Sequence, residues 1–237
     1  MSPPSDDSPL LALCHAIASR DDDEFAELLN RSPDLARRSI HVGATRDAPD
    51  EYFLVPIRHH IYRGDTALHV AAAAFRPDAA ERLLAHGAAV RAANRRGAEP
   101  LHYAADGRPH DDERPHAQQE VIAILIHAGA DPNALDKSGV AAIHRAVRTR
   151  SSSAVRALIA HRADPLLQNK SGSTPLHLAV QNTGKSGSGS EAAKREQAAI
   201  IGLLLEHGAR PTDTDANGRT VADAAASQWV RDLLGTV

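Results

Sequence analysis

The amino-acid sequence predicts an all-α repeat solenoid, because one short phrase recurs along most of the chain. The five copies are GDTALHVAA from Gly64, GAEPLHYAA from Gly97, GVAAIHRAV from Gly139, GSTPLHLAV from Gly172 and GRTVADAAA from Gly218. The first four copies are each followed by a leucine-rich stretch, and the intervals between the glycines are 33, 42, 33 and 46 residues. A period in this range is typical of a linear stack of small units, none of which can bury its apolar face alone.

A single unit is predicted to form two helices joined by a short turn and followed by a hairpin-like turn. In the copy from Gly172, Thr174 can cap the first helix, and Pro175 suits its first position, where a missing N–H does no harm. The second helix should end at Gly208, since glycine adopts the left-handed conformation at least cost. Arg162 stands at the equivalent helix end one unit earlier, so we expect a strained left-handed residue there.

These motifs resemble the ankyrin repeat family over about residues 59 to 234. The resemblance rests on G-x-T-P-L-H-x-A in the first helix, on L-L-x-x-G-A at the end of the second, and on an Asp or Asn three residues before the next glycine. Those positions are Asn94, Asp136, Asn169 and Asp215. The resemblance implies antiparallel helix pairs with projecting turns. It also implies a concave surface of turn tips and first helices that holds other proteins.

Applied to the whole chain, the repeat predicts eight segments. They are a disordered tail at 1–9, a degenerate N-terminal capping repeat at 10–38, an extended finger insertion at 39–62, full repeats at 63–94, 95–136, 137–169 and 170–215, and a C-terminal capping repeat at 216–237. The second and fourth full repeats have extra residues between their helices, at 106–116 and 182–195. The composition of both insertions favours solvated loops, although insertions in repeats sometimes form binding faces.

The insertion at 39–62 differs in composition from the other two. It contains SIHV and EYFLVPI, runs rich in β-branched and aromatic residues that predict a short hairpin or ordered finger. Three of the seven aromatic residues of the chain lie here, namely Tyr52, Phe53 and Tyr62. Two interpretations remain open: the finger only covers the gap before the first full repeat, or it contacts a partner. An exposed aromatic tip beside Arg58, His59 and His60 would favour contact, because aromatic and Arg side chains dominate binding hot spots.

The fourteen histidines raise the question of catalysis or metal binding. Eight have structural explanations: His69, His102, His144 and His177 belong to the repeat phrase, and His86, His127, His161 and His207 lie near the ends of second helices, where they suit the helix dipole. The sequence lacks the spacings of a zinc site, a nucleophile elbow or a phosphate-binding loop. We therefore expect no enzyme, no cofactor and no metal. A metal-dependent activity near His41, His59 and His60 remains an alternative.

The family's variable contact positions, transferred to this chain together with the finger, predict a partner-binding surface. Its residues are Tyr52, Phe53, Arg58, His59, Tyr62, Arg63, Asp65, Arg95, Arg96, Lys137, Arg148, Lys170 and Gln181. Basic side chains predominate in this set although the net charge of the chain is −3, which favours an acidic partner surface. Ordinary solvated turn charge is the competing interpretation.

Composition limits where such a protein acts and what it binds. The single cysteine, Cys14, excludes an internal disulfide and fits a reducing compartment. The N-terminal residues lack the features of a signal peptide, and no apolar run approaches the ~20 residues that span a bilayer. We expect a cytoplasmic monomer that binds another protein and no membrane. Nucleic-acid binding through the basic tips is the alternative, disfavoured because few aromatic residues could stack on bases.

Overall fold

The described chain is built mainly from paired α-helices and the turns between them. A computed structural model describes residues 7–45, 50–107, 116–181 and 189–235. The chain forms two compact units: unit 1 comprises Met1–Ala104 and Pro109–Asp131, and unit 2 comprises Ala105–Arg108 and Pro132–Val237.

Unit 1 contains helices α1–α6 and a short β-hairpin. Its helices are α1 (Ser8–Ser19), α2 (Asp22–Arg31), α3 (Ala67–Ala73), α4 (Pro77–Ala85), α5 (Pro100–Ala104) and α6 (Ala117–His127), and its strands are β1 (Phe53–Leu54) and β2 (His59–His60). Helix α3 packs against α1, α4 and α5, and α4 packs against α6. Six of the seven residues of α3 are buried, and most of these are alanine or valine. Small side chains let the neighbouring helices approach α3 closely.

Unit 2 repeats the same arrangement. Its helices are α7 (Ala142–Arg148), α8 (Ser152–Ala160), α9 (Pro175–Ala179), α10 (Glu191–Glu206), α11 (Val221–Ala224) and α12 (Gln228–Leu233). Helix α7 packs against α8 and α9, while α10 packs against α8, α9 and α12. The prediction of ankyrin-type helix pairs is therefore confirmed in each unit.

The turns between helix pairs share one hydrogen-bond pattern. In the turn at Gly97, the Asn94 side-chain oxygen accepts from the backbone N–H groups of Arg96 and Ala98 at 2.9 and 3.1 Å. The Asn94 N–H donates to the Ala98 carbonyl at 3.0 Å. The same set of bonds is made by Asp136, Asn169 and Asp215. The recurring Asp or Asn therefore closes each turn, a role that the sequence motif did not specify.

Left-handed residues follow the second helix of each full repeat and the first helix of some repeats. The second helices α4, α6 and α10 end at Gly87, Gly129 and Gly208, all with positive φ, and α8 ends at Arg162 with φ 68°. The strained conformation expected at Arg162 is therefore present. A second set, which the sequence analysis did not anticipate, follows first helices α3 and α7: Phe75 with φ 50° and Arg150 with φ 56°.

The insertion at 39–62 contains the short hairpin that the sequence predicted. Strands β1 and β2 pair antiparallel, with Phe53 opposite His60 and Leu54 opposite His59. Bridges join Ser39 to Thr66 and Gly43 to Tyr62, so the insertion pairs with the start of the first full repeat. Its residues Ile40, Tyr52, Leu54 and Ile61 are buried. Much of the insertion therefore covers the core of unit 1.

Two predicted segment boundaries differ from the observed helices. Residues 1–6 lie outside the described part, but Asp7 is buried and accepts hydrogen bonds from the backbone N–H groups of His41 and Val42, and α1 begins at Ser8. The expected tail at 1–9 thus overlaps ordered structure. Most of the insertion at 106–116 and residues 182–188 also lie outside the described part, whereas 191–195 belong to α10 and extend it toward its N-terminus.

Candidate partner-binding surface

Two arginines and a tyrosine form a cluster at the turn tips of unit 1. The guanidinium carbons of Arg95 and Arg96 lie 5.0 and 4.6 Å from the ring centroid of Tyr62. The Arg95 N–H donates to the Arg63 carbonyl at 2.8 Å, which joins adjacent tips. Arg63, Arg95 and Arg96 are exposed, and Tyr62 is half-buried. We call Tyr62, Arg95 and Arg96 the Arg–Tyr cluster; cation–π contact holds its two charges at defined places.

The β-hairpin extends this cluster with further rings. The His60 ring lies 6.5 Å from Tyr62 and 4.6 Å from Phe53, measured between centroids. Phe53 and His60 are half-buried, whereas Arg58 is exposed and is itself in the left-handed conformation with φ 50°. The His60 ring therefore links the predicted residues Phe53 and Tyr62 on unit 1, and Arg58 lies in the turn of the same hairpin.

Three of the predicted contact residues face inward. Tyr52 is 4% exposed and Asp65 is 1% exposed. His59 is half-buried, and its ring packs edge-on against Tyr103 at 4.8 Å. Tyr52 was predicted to contact a partner as an aromatic residue of the finger, and Asp65 because it follows the tip glycine Gly64. Their burial removes them from the contact surface, and the exposed Tyr or Phe tip that would favour direct contact is absent from the described hairpin.

Asp65 has a structural role instead. Its carboxylate accepts from the Tyr62 N–H at 2.6 Å, from the Asn94 side-chain amide at 2.8 Å and from the Tyr103 hydroxyl at 3.0 Å. A buried carboxylate requires such partners, because an unpaired one would cost several kcal/mol. This network holds the backbone at Tyr62, so Asp65 supports the Arg–Tyr cluster from inside the fold.

Unit 2 has its own exposed tips. Lys137 and Lys170 are exposed, and the Lys170 ammonium donates to the Lys137 carbonyl of the preceding tip. Arg148 and Gln181, both exposed, lie at the ends of α7 and α9. They border one pocket of about 230 Å³, together with Arg150 and Gln197. The four predicted residues of unit 2 therefore form a tip pair and a pocket edge.

The histidines of the repeat phrase bond to the backbone through their ring nitrogens. The Nδ1 atom of His144 accepts from the Ala141 N–H at 3.1 Å, so its Nε2–H can donate to the Leu167 carbonyl at 3.0 Å. Burial lowers the pKa of His144 below its ordinary value, which favours the neutral form. His69 and His177 make the equivalent pair of bonds. These side chains therefore cap the first helices and join neighbouring turns.

His41, His59 and His60 each contact a different side chain of the protein. His41 Nδ1 is 3.3 Å from the buried Asp7 carboxylate, His59 packs on Tyr103, and His60 packs on Phe53. Within residues 7–45, 50–107, 116–181 and 189–235, no group of three or more His, Cys, Asp or Glu side chains could hold a metal ion. The contacts of His41, His59 and His60 thus give no support to a metal-dependent activity.

Glu99 places a buried carboxylate at a helix-capping position of unit 1. It occupies the helix-capping position at which Thr66, Thr174 and Thr220 stand in other repeats, and it is 9% exposed. One carboxylate oxygen lies 3.4 Å from Arg91 Nε, while the other is buried and has no hydrogen-bond partner among the residues that the structure describes. Burial raises the pKa of Glu99 above its ordinary value, and the nearby Arg91 only partly opposes this shift.

Comparison with known proteins identifies the class that these helix pairs define. A family model described as "Ankyrin repeat" matches residues 63–95, 96–137 and 171–216, and one described as "Ankyrin repeats (many copies)" matches 125–179. The chain belongs to the ankyrin repeat family, whose members are generally protein–protein interaction modules. Neurogenic locus notch homolog protein 1 of Danio rerio is 35% identical over 121 aligned residues, covering 40% of this chain and 5% of the relative.

The chain thus spans about 5% of the length of that curated relative. Within the described residues, no helix has both the length and the apolar character needed to cross a membrane.

Proposed function

We propose that this protein binds another protein without catalysing a reaction, and that its exposed turn tips prefer an acidic partner surface. The observation on which this proposal depends is the Arg–Tyr cluster. Two guanidinium groups lie against one half-buried ring and remain exposed to solvent. Arg and Tyr are the side chains most enriched at binding hot spots.

The construction of the cluster supports this use. A long arginine side chain usually loses about 0.5–1.5 kcal/mol of rotamer entropy when a partner immobilises it. Contact with Tyr62 restricts Arg95 and Arg96 before binding, and the Asp65 network in turn restricts the Tyr62 backbone. Preorganised cations of this kind favour tight and specific contact with carboxylates.

Charge distribution supports an acidic partner. The whole chain has a net charge of −3, yet the exposed tips of unit 1 present Arg63, Arg95 and Arg96. Local positive charge on an acidic protein steers acidic surfaces toward that region and repels them elsewhere. We place this binding in the cytoplasm, in keeping with the single cysteine, Cys14, which is buried and free.

A capture experiment with charge-reversed variants tests the proposal. Immobilised wild-type protein and an Arg95→Glu/Arg96→Glu variant are each exposed to a nuclease-treated cell extract, and retained proteins are quantified by mass spectrometry. The matched control is Arg31→Glu/Arg37→Glu, which makes the same charge change at exposed residues of unit 1 outside the cluster. We expect the partners retained by wild type and control to fall at least about tenfold on the cluster variant.

Equal retention of the same proteins by all three forms would contradict the proposed surface. Nuclease treatment removes proteins that are bridged by nucleic acid. Loss of every partner after that treatment would instead favour the nucleic-acid alternative.

A further inference from the structure

The last turn tip of unit 2, at Asn217 and Gly218, contains the one Asn-Gly pair of the sequence. At the other tips the residue before the glycine is Arg63, Arg96, Ser138 or Ser171. Asn217 and Gly218 are both exposed. The Asn217 carboxamide therefore lies in solvent beside an unusually accessible backbone nitrogen, since glycine has no Cβ to shield it.

No following tip covers this glycine within the described chain. A side chain at Gly139 would collide with Lys170, and one at Gly172 would collide with the Ala216 backbone, because the next tip lies against each of these glycines. At Gly218, no described atom lies within 4 Å of the place that a Cβ would take. The space that a side chain needs to reach the Gly218 nitrogen is therefore open.

The Asn217 side chain is not held in the turn. In the preceding repeat, the Asn169 side-chain oxygen accepts from the N–H groups of Ser171 and Ser173 at 2.8 and 3.1 Å. The Asn217 carboxamide makes no hydrogen bond within the described residues, and only its backbone N–H is bound, to the Asp215 carboxylate at 2.8 Å. The carboxamide can therefore rotate toward the next residue.

One hydrogen bond holds the Gly218 nitrogen, whose N–H donates to the Asp215 carbonyl at 3.0 Å. This bond lies in a turn whose residues 216–219 are all exposed. The end of a repeat row is packed from one side only, and exposed backbone bonds of this kind open locally at little cost in free energy. Local opening therefore releases the nitrogen while the rest of the protein stays folded.

We propose that Asn217 is a site of spontaneous deamidation, with water as the co-reactant and ammonia as the leaving group. The Gly218 nitrogen gives its proton to hydroxide and bonds to the side-chain carbonyl carbon of Asn217. The bond from that carbon to the amide nitrogen breaks, and the nitrogen takes a proton from water and leaves as ammonia. Water then opens the cyclic imide at one of its two carbonyls, without any oxidation or reduction.

The two products differ in their backbone. Opening at the side-chain carbonyl gives aspartate, whereas opening at the main-chain carbonyl gives isoaspartate, which adds one methylene to the backbone. One Asp215 carboxylate oxygen accepts from the N–H groups of Asn217 and Arg219 at 2.8 and 3.1 Å. The added methylene separates those two N–H groups, so that one oxygen no longer reaches both. Isoaspartate thus weakens the end of unit 2 irreversibly, independently of the Arg–Tyr cluster.

The test ages the full folded chain in mildly alkaline buffer and follows each asparagine by peptide mapping with mass spectrometry. Backbone fragmentation in the spectrometer distinguishes aspartate from isoaspartate. Asn30 is the internal comparison, because it is also exposed but is followed by Arg31 inside α2. We expect Asn217 to convert at least about tenfold faster than Asn30.

Two substitutions separate ring closure from loosening of the turn. Asn217→Gln should stop the conversion, because its longer side chain would have to close a larger ring. Gly218→Ala adds a Cβ that hinders the nitrogen, and it also strains the turn, since φ at this position is 73°. We expect Gly218→Ala to slow conversion at least about tenfold, whereas a looser turn alone would speed it.

Thermal melting tests the consequence of the modification. Asn217→Asp reproduces the aspartate product and should melt near the wild-type temperature, since the backbone keeps its length. Aged protein enriched in isoaspartate should melt about 2–4 °C lower, in keeping with the loss of one hydrogen bond of the turn.

Three results would overturn the inference. Conversion of Asn217 no faster than that of Asn30 would show that the folded turn protects it, even if the urea-denatured chain reacts. Equal conversion in Gly218→Ala would remove the role of the open glycine. An isoaspartate form that melts together with Asn217→Asp would remove the proposed weakening of unit 2.

Discussion

Arg162 ends helix α8 in a left-handed conformation that its side chain disfavours. Its φ is 68°, and the equivalent residues of α4, α6 and α10 are glycines. Its carbonyl accepts from Asn133 at 3.2 Å, a backbone contact that glycine would keep. Arg162→Gly should therefore stabilise the protein by about 1 kcal/mol. The expected rise in melting temperature is about 2–4 °C, measured by circular dichroism.

The control for this change is Arg156→Gly. Arg156 is also exposed but lies in the interior of α8. The same substitution there should destabilise the protein by about 1 kcal/mol, since glycine is unfavourable inside a helix. A lower melting temperature for Arg162→Gly would show that relief of left-handed strain at this helix end is outweighed by the loss of the arginine side chain.

Glu99 is predicted to make stability depend on pH. Because its pKa is raised in the folded state, the folded protein retains a proton that the unfolded chain has already released. The contribution of Glu99 therefore becomes less favourable as the pH rises through the folded-state pKa. Glu99→Thr removes the buried carboxylate and restores the hydroxyl that bonds to a ring nitrogen at Thr66 and Thr174.

We expect Glu99→Thr to raise the free energy of unfolding by about 1 kcal/mol near neutral pH. The gain should be larger at about pH 7.5 than at about pH 5, as measured by urea denaturation. Glu99→Gln, which removes the charge and keeps the size, should share the pH dependence. A gain that is identical at both pH values would show that the carboxylate is not a source of instability.

At the scale of helices, two glutamines compensate for the insertions inside repeats. In the uninterrupted repeats, the Ala71 and Ala146 carbonyls near the ends of the first helices accept from the backbone N–H of Arg76 and Ser151, at 2.9 Å in both cases. In the interrupted repeats, a glutamine stands at the position of Arg76 and Ser151. Gln118 and Gln197, which stand at the same position of the second helix, donate their side-chain amides to the Ala104 and Ala179 carbonyls at 3.0 and 2.6 Å.

We therefore expect the stability of an interrupted repeat to depend on its glutamine hydrogen bond. Gln118→Leu leaves the Ala104 carbonyl buried without this donor, which should lower the free energy of unfolding by about 1–3 kcal/mol. Gln119→Leu, at the adjacent half-buried residue of α6, is the control and should change the free energy of unfolding by no more than about 0.5 kcal/mol. Equal effects of the two substitutions would remove the special role of Gln118.

For the whole chain, repetition explains why the fold could be predicted and the surface only in part. Each copy of the phrase indicates the same helix pair, so local ambiguity in one copy is resolved by the others, and even the strain at Arg162 follows from alignment. Burial of Asp65 could not be foreseen, because it depends on Tyr103, 38 residues away. The role of Gln118 likewise depends on where separate helices end.

The use of a glutamine amide in place of a backbone donor has a practical consequence. Since Gln118 and Gln197 tie the two helices of a repeat together through side chains, the length of chain between those helices is not set by the geometry of a tight turn. Foreign peptides grafted between residues 107 and 116, or between 181 and 190, should therefore be displayed without loss of folding. The same graft between Ala74 and Arg76 would remove the Arg76 N–H donor and would need an engineered glutamine beside it.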